Sequence, residues 1–197
     1  SYVNADTDQG KVDQKKFEWL EYYKIKFKAD WFTKIYDKLV LRSLGEFGFL
    51  GSYNKDRGLV PFERFFVGGD GLANFALDGR EVIGLRGYQN NSIVPFANYG
   101  AVGAPIFNKF TIELRHPITM NQSATIYGLV FAEGGNTYAA FKSFSPFNFK
   151  RSVGAGVRIF LPIFGLLGLD YGYGFDDIPG NPGANGGQFH FSIGQQF

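Results

Sequence analysis

An arginine flanked by glycines, in Gly84-Leu85-Arg86-Gly87-Tyr88, is the stretch of this 197-residue chain best suited to chemistry, and the chemistry is electrostatic. A guanidinium stays charged and presents a rigid fork of donors, so once removed from water it demands an anion of matching geometry. Gly84 and Gly87 would permit close backbone approach and positive φ beside it. Enzyme signatures are missing. There is no G-x-S-x-G and no Walker lysine loop, and Gly154-Ala155-Gly156 and Gly172-Tyr173-Gly174 lack the third glycine of a dinucleotide fingerprint. His116 and His190 stand without metal-ligand spacing and read as ordinary polar positions. Asn90-Asn91-Ser92 and Asn121-Gln122-Ser123 fit the glycosylation pattern as easily by chance as by use. The absence of Cys excludes disulfides, thiolate metal sites and cysteine nucleophiles from this chain. No catalytic residue, metal or cofactor is expected.

The element that carries Arg86 is a connection of unusual length. Clear alternation of apolar residues ends near Tyr53 and resumes near Phe107, leaving over fifty residues rich in Gly, Asn, Pro and Phe. Loops this long are usually functional or disordered. Disorder does not suit Phe62, Phe65, Phe66, Phe75, Tyr88, Phe96 and Tyr99, which need somewhere to pack. A loop that must bury aromatics around an arginine suggests a segment tucked into a cavity.

The flanking sequence supplies candidate walls. From Trp19 to Trp31 the period is two: Trp19, Tyr23, Ile25, Phe27, Ala29 and Trp31 share one face, and Tyr22, Lys24, Lys26, Lys28 and Asp30 the other. Leu39 to Phe49 alternates likewise after a short turn at Tyr36-Asp37-Lys38. Beyond the long loop, Phe110 to Arg115 alternates and is expected to stop at Pro117, which cannot donate to a ladder. Thr125 to Gly134 is apolar on both faces and ends in a turn-like cluster, Glu133-Gly134-Gly135-Asn136. Val153 to Leu161, Leu167 to Phe175 and Phe189 to Phe197 alternate apolar residues with Gly, Ser, Asp, Arg and His.

Seven strands of about ten residues match the length a tilted strand needs to cross a bilayer. Aromatics lie towards the ends of several apolar faces, as in interfacial girdles, and short and long connections alternate as outer-membrane barrels require. The alternative is a soluble sandwich with one polar side, whose strands are usually nearer five or six residues. The 27 glycines with 23 Phe and 11 Tyr favour strands and turns, and a formal charge of +2 gives no argument for nucleic acid. No apolar run is long enough for a spanning helix. Ser1 to Lys16 is polar and has no signal-peptide core, so the chain reads as a mature or truncated product.

Three stretches in order resemble the C-terminal half of the barrel of the Omp85 superfamily, best its outer-membrane protein assembly factors. Leu85-Arg86-Gly87-Tyr88 resembles the lid-loop signature, preceded by Phe62 to Gly69 with its aromatic-Gly-Gly approach. Phe131-Ala132-Glu133-Gly134-Gly135 resembles the strand motif in which an acid precedes glycine, although the family often has Asp there. Phe189 to Phe197 resembles the terminal strand ending in an aromatic, with Gln195 where an apolar residue is usual.

The resemblance implies an all-β, antiparallel transmembrane barrel of sixteen strands, of which residues 1–197 would supply about seven, with a lid loop over 52–108 folded inward and N-terminal strands and periplasmic domains lying outside this sequence. It also implies that Leu85, Arg86, Gly87 and Tyr88 form a latch on the inner wall, with Glu113 and Glu133 as counter-charges. Alternation independently turns Glu113 inward and is silent for Glu133. Phe189, Phe191, Ile193 and Phe197 of the terminal strand would face lipid, and that strand would form a weak lateral seam with Gly194 at a kink. A seam that opens could template a client strand by β-augmentation.

The implied function is insertion of barrel proteins into a bacterial outer membrane, without covalent chemistry. Implied partners are the lipid bilayer, unfolded barrel clients and accessory lipoproteins. A secretion pore of the same superfamily, or a barrel linked to a hydrolase domain, remains open on these residues.

Overall fold

The computed structural model describes residues 22–53, 59–71, 81–96, 103–121, 124–162 and 165–194. Among the described residues nine strands are formed: β1 (Tyr22–Tyr36), β2 (Leu39–Ser52), β3 (Phe65–Val67), β4 (Glu81–Ile83), β5 (Ile106–Met120), β6 (Thr125–Tyr138), β7 (Lys150–Leu161), β8 (Gly165–Gly174) and β9 (Gly186–Ile193). Seven of them make one antiparallel sheet in the order β1-β2-β5-β6-β7-β8-β9, so each long strand pairs with its neighbours in sequence. There is no α-helix among the described residues, only a 3₁₀ turn at Phe141–Ser143. The turn between β1 and β2 is Asp37-Lys38, with Asp37 at φ +42°. Antiparallel pairing puts the three long connections, β2 to β5, β6 to β7 and β8 to β9, at the opposite end from that turn.

The polarity of this sheet is the reverse of a soluble protein's. One face exposes Ile25, Phe27, Trp31, Ile112, Val130, Leu169, Tyr171, Phe189 and Phe191. The other buries Arg42, Thr111, Glu113, Glu133, Ser152, Asp170 and His190. Soluble sandwiches bury the apolar side, whereas membrane barrels turn it to lipid and keep a polar interior. The sandwich reading is excluded on this ground.

Several expected boundaries shift. β5 runs through Pro117 to Met120, with a register irregularity between Pro117 and Thr119 against β6. The β2–β5 ladder has already ended at Val40↔Arg115, so the missing proline N–H faces no acceptor on that side. Glu133-Gly134-Gly135-Asn136 is not a turn. Those residues continue β6 to Tyr138, paired with β5 throughout and with β7 as far as Gly135, so that their backbone groups find partners in the sheet. Trp19, Phe75, Tyr99 and Phe197 lie outside the described residues.

The long connection has structure of its own. β3 and β4 pair in parallel, and isolated bridges join Phe65 to Ala104, Val67 to Ile93 and Gly69 to Leu85. Phe65, Val67, Ile83, Leu85, Tyr88 and Ile93 of this loop form one core with Leu50 and Phe107 of the wall and with Ile178 and Ala184 of the β8–β9 connection. Phe62 and Phe96 remain exposed, so not every aromatic of the loop is drawn in. Lys24 and Lys26 of β1 pair with Glu63 and Glu81, tying the loop to the far side of the sheet. The loop is thus packed against the polar inner face.

Candidate functional site: an arginine caged by the inner wall

Cross-strand register assembles the site before the loop arrives. Arg42, Glu113 and Phe131 sit opposite one another on β2, β5 and β6, and that row continues through Gly154 and Gly172. The adjacent inward row runs Leu44, Thr111, Glu133, Ser152, Gly174. Another aligns Gly156, Asp170 and His190. A side-chain period of two puts every one of these on the same face. The wall therefore presents three acids on three strands beside a lane of glycine.

Arg86 enters this array from the loop and is 8% exposed. Its Nη2 donates to Glu113 Oε1 and to Glu133 Oε1, both at 2.7 Å, and its Nη1 to Asp170 Oδ2 at 3.4 Å. Its backbone N–H donates to Glu133 Oε2 at 2.8 Å. The guanidinium carbon lies 3.5 Å from the centroid of the Phe131 ring, a cation–π contact in a water-poor site. Burial alone would lower the pKa of Arg86, but Glu133, then Glu113 and Asp170, hold it above its ordinary value. The cation is permanent.

Each acid also has a partner on the wall. Glu113 accepts from Arg115 and, at 3.4 Å, from Arg42. Asp170 accepts both Nη groups of Arg158, at 2.7 and 2.6 Å. Glu133 has the weakest support apart from Arg86: Thr111 Oγ1 at 3.0 Å and the Lys109 ammonium at 3.7 Å.

The residues on either side of Arg86 are held as firmly. Gly87, at φ +87°, donates its N–H to His190 Nε2 at 2.8 Å. A Cβ on Gly172 would lie 2.7 Å from Gly87 N, and one on Gly174 would lie 2.3 Å from Gly87 O. The loop backbone reaches the wall only because both strand positions lack side chains. Gly84, by contrast, has no positive φ. It packs closely against the Asp70–Gly71 backbone of the same loop. Leu85 and Tyr88 are fully buried. Tyr88 Oη donates to Arg151 O at 2.7 Å and accepts from Asp176 N–H at 3.3 Å, and burial pushes its phenol up to about 12, so it remains a neutral donor.

The structure therefore brings Leu85, Arg86, Gly87 and Tyr88 together with Glu113 and Glu133. Asp170 was not singled out from sequence, and His190, Phe131, Gly172 and Gly174 were noted there without any part in the latch. Asp170 carried a signal: it is the one acid on the inward positions of β8, among Gly168, Gly172 and Gly174. His190 is no ordinary polar position, since it accepts a hydrogen bond from the loop backbone. Its inward register on β9 was legible, but its acceptor role was not. His116 is exposed, Ser92 is buried and Asn91 occupies a turn at φ +57°. On β9, Phe189, Phe191 and Ile193 are exposed on the outer face, and Gly194, at φ +114°, donates its N–H to Leu166 O.

An apolar-out, polar-in antiparallel sheet with a loop docked on its inner face defines an outer-membrane-type barrel with an internal lid. The chain belongs to the Omp85 superfamily, whose domain matches residues 4–197. Among solved structures it is similar to BamA from Haemophilus ducreyi lacking POTRA domains 1–3, with a TM-score of 0.59 and 17% identity over 87% of this chain. That likeness is one of fold, and the chain spans 34% of the BamA chain. Comparison with curated proteins returns no match.

Proposed function

We propose that this chain is part of the barrel of a bacterial outer-membrane protein assembly factor, one that folds and inserts client barrels through a lateral seam at its terminal strand. The observation that carries the reading is the caged Arg86. It latches a packed lid across the inner face, and a lid held by buried ion pairs leaves the wall, not the lumen, as the route for a client. The terminal strand supports the same direction. The backbone of β9 turns to positive φ at Gly194. A glycine at positive φ interrupts the extended backbone there, which would weaken ladder pairing across a seam and ease its exchange for a client strand. The partners would be the bilayer, unfolded barrel proteins and accessory lipoproteins. No nucleotide or covalent step is needed, because the exchange of backbone hydrogen bonds is nearly isoenergetic.

The test is a disulfide joining Ile193→Cys to the first barrel strand of the full-length protein. Client insertion into vesicles should stop in the oxidised form and return on reduction. Full activity while crosslinked would remove the seam and favour a secretion pore acting through the lumen.

A further inference from the structure

The β6–β7 connection, 139–149, carries four phenylalanines and one charge, Lys142, yet does not fold inward. It lies against the outer wall. Phe144 packs edge-on to Phe47 at 5.3 Å and to Tyr138 at 5.1 Å, and Phe141 meets Phe49 at 5.8 Å. Phe149 packs on Phe110 at 5.4 Å and sits in the notch at Gly134, where a Cβ would lie 3.2 Å from its own. Phe47, Phe49, Phe110 and Gly134 share the outward register of β2, β5 and β6. Phe147, edge-on to Phe149, is 84% exposed, and Phe141 is 66% exposed.

Three carbonyls of this connection are capped by side chains of the same wall. Asn108 Nδ2 donates to Pro146 O at 3.1 Å, Asn136 Nδ2 to Asn148 O at 2.9 Å, and Tyr138 Oη to Ser145 O. These outward positions would otherwise turn polar groups to lipid, and the loop covers them. Capping by protein lowers the cost of bringing carbonyls to the edge of a bilayer, where water thins out. A loop in water has no such need.

We propose that the 139–149 connection is a membrane-embedded foot, with Phe141 and Phe147 inserted at the headgroup–acyl boundary of the leaflet on the lid side. The occupant of this surface is lipid. Three observations commit to it: the patch continues the apolar outer face of β2 and β5, its single charge is a cation suited to anionic headgroups, and three of its carbonyls are capped by the wall. Aromatic rings are the side chains that favour this depth. The foot would fix the height of the barrel on the side of the lid. It rests on the reading of the outer face as lipid-facing.

The test uses single cysteines carrying a fluorescent NBD label in the full-length protein, reconstituted in vesicles, with no other cysteine. Phe147→Cys should be quenched severalfold more by lipids nitroxide-labelled near the headgroup than by aqueous iodide. Asn181→Cys, on the exposed β8–β9 connection, should show the opposite. Val130→Cys, midway along the outer face of β6, reports whether the wall itself is in lipid. Iodide quenching at 147 with lipid quenching at 130 overturns the foot alone. Protection at 147 from both quenchers overturns it in favour of a protein cover. Loss of lipid quenching at 130 overturns the membrane reading beneath it.

Discussion

Arg86 is shared unequally among its acids. Glu113 keeps Arg42 and Arg115, and Asp170 keeps Arg158, but Glu133 leans on Arg86 for two of its hydrogen bonds. Arg86→Ala should therefore release the lid to protease and also leave Glu133 buried with little compensation, a loss of about 3–5 kcal/mol. Adding Glu133→Gln to Arg86→Ala should recover part of the barrel's thermal stability without restoring lid protection. Heat-dependent gel mobility and limited proteolysis separate the two effects, and no recovery in the double variant would show that Glu133 is not the stranded group. Arg86→Lys should behave nearly as badly as Ala for the lid, because one ammonium cannot reach acids on β5, β6 and β8 together.

At the scale of the element, β8 is shaped by what it lacks. Gly172→Ala or Gly174→Ala would drive a methyl into the Gly87 backbone, so either should undock the lid while leaving the sheet paired. Gly128→Ala, whose Cβ would meet only Ile118 at 3.5 Å on the outer face, should change neither lid protection nor activity. Proteolysis of the three variants decides it, and an intact lid in Gly174→Ala would refute the close approach. Beyond β8, Asp176 is held below its ordinary carboxyl range chiefly by hydrogen bonding with Arg151. A lowered folded value means this pairing is present at neutral pH and lost only as pH falls below the usual aspartate range. The amide protection factor in the β8–β9 connection, exchange corrected for its intrinsic pH dependence, should stay constant from neutral to mildly acidic pH and fall only below pH ~4.

At the scale of the molecule, inverted polarity sets which substitutions the sheet tolerates. Val130→Arg on the outer face should destabilise the refolded barrel in vesicles by about 2–4 kcal/mol, as a charge at the bilayer midplane does. Denaturant unfolding in lipid measures it, and a neutral result would place that face in water. Much of this arrangement was legible in the chain: the strict alternation in β1, β7 and β8 separates an apolar set from a polar one, and a period of two cannot be read otherwise. β6 was less legible. With Leu129 and Phe131 facing inward and Val130 outward, both faces look apolar, and alternation cannot say which side Glu133 takes.

By itself, the sequence determined the sheet, its two faces and the inward turn of Glu113, because side-chain alternation is a local property of extended backbone. It also marked Arg86 as a cation in need of anions. Only the tertiary structure decided which anions those are, since Glu113, Glu133 and Asp170 lie on three strands and meet through register, not through spacing along the chain. The same holds for Pro117, tolerated because the neighbouring ladder has ended, and for His190, whose acceptor role exists only once Gly87 has been laid against a strand of glycines. Contacts set by register and by close backbone approach depend on residues far apart in sequence, and no local pattern encodes them.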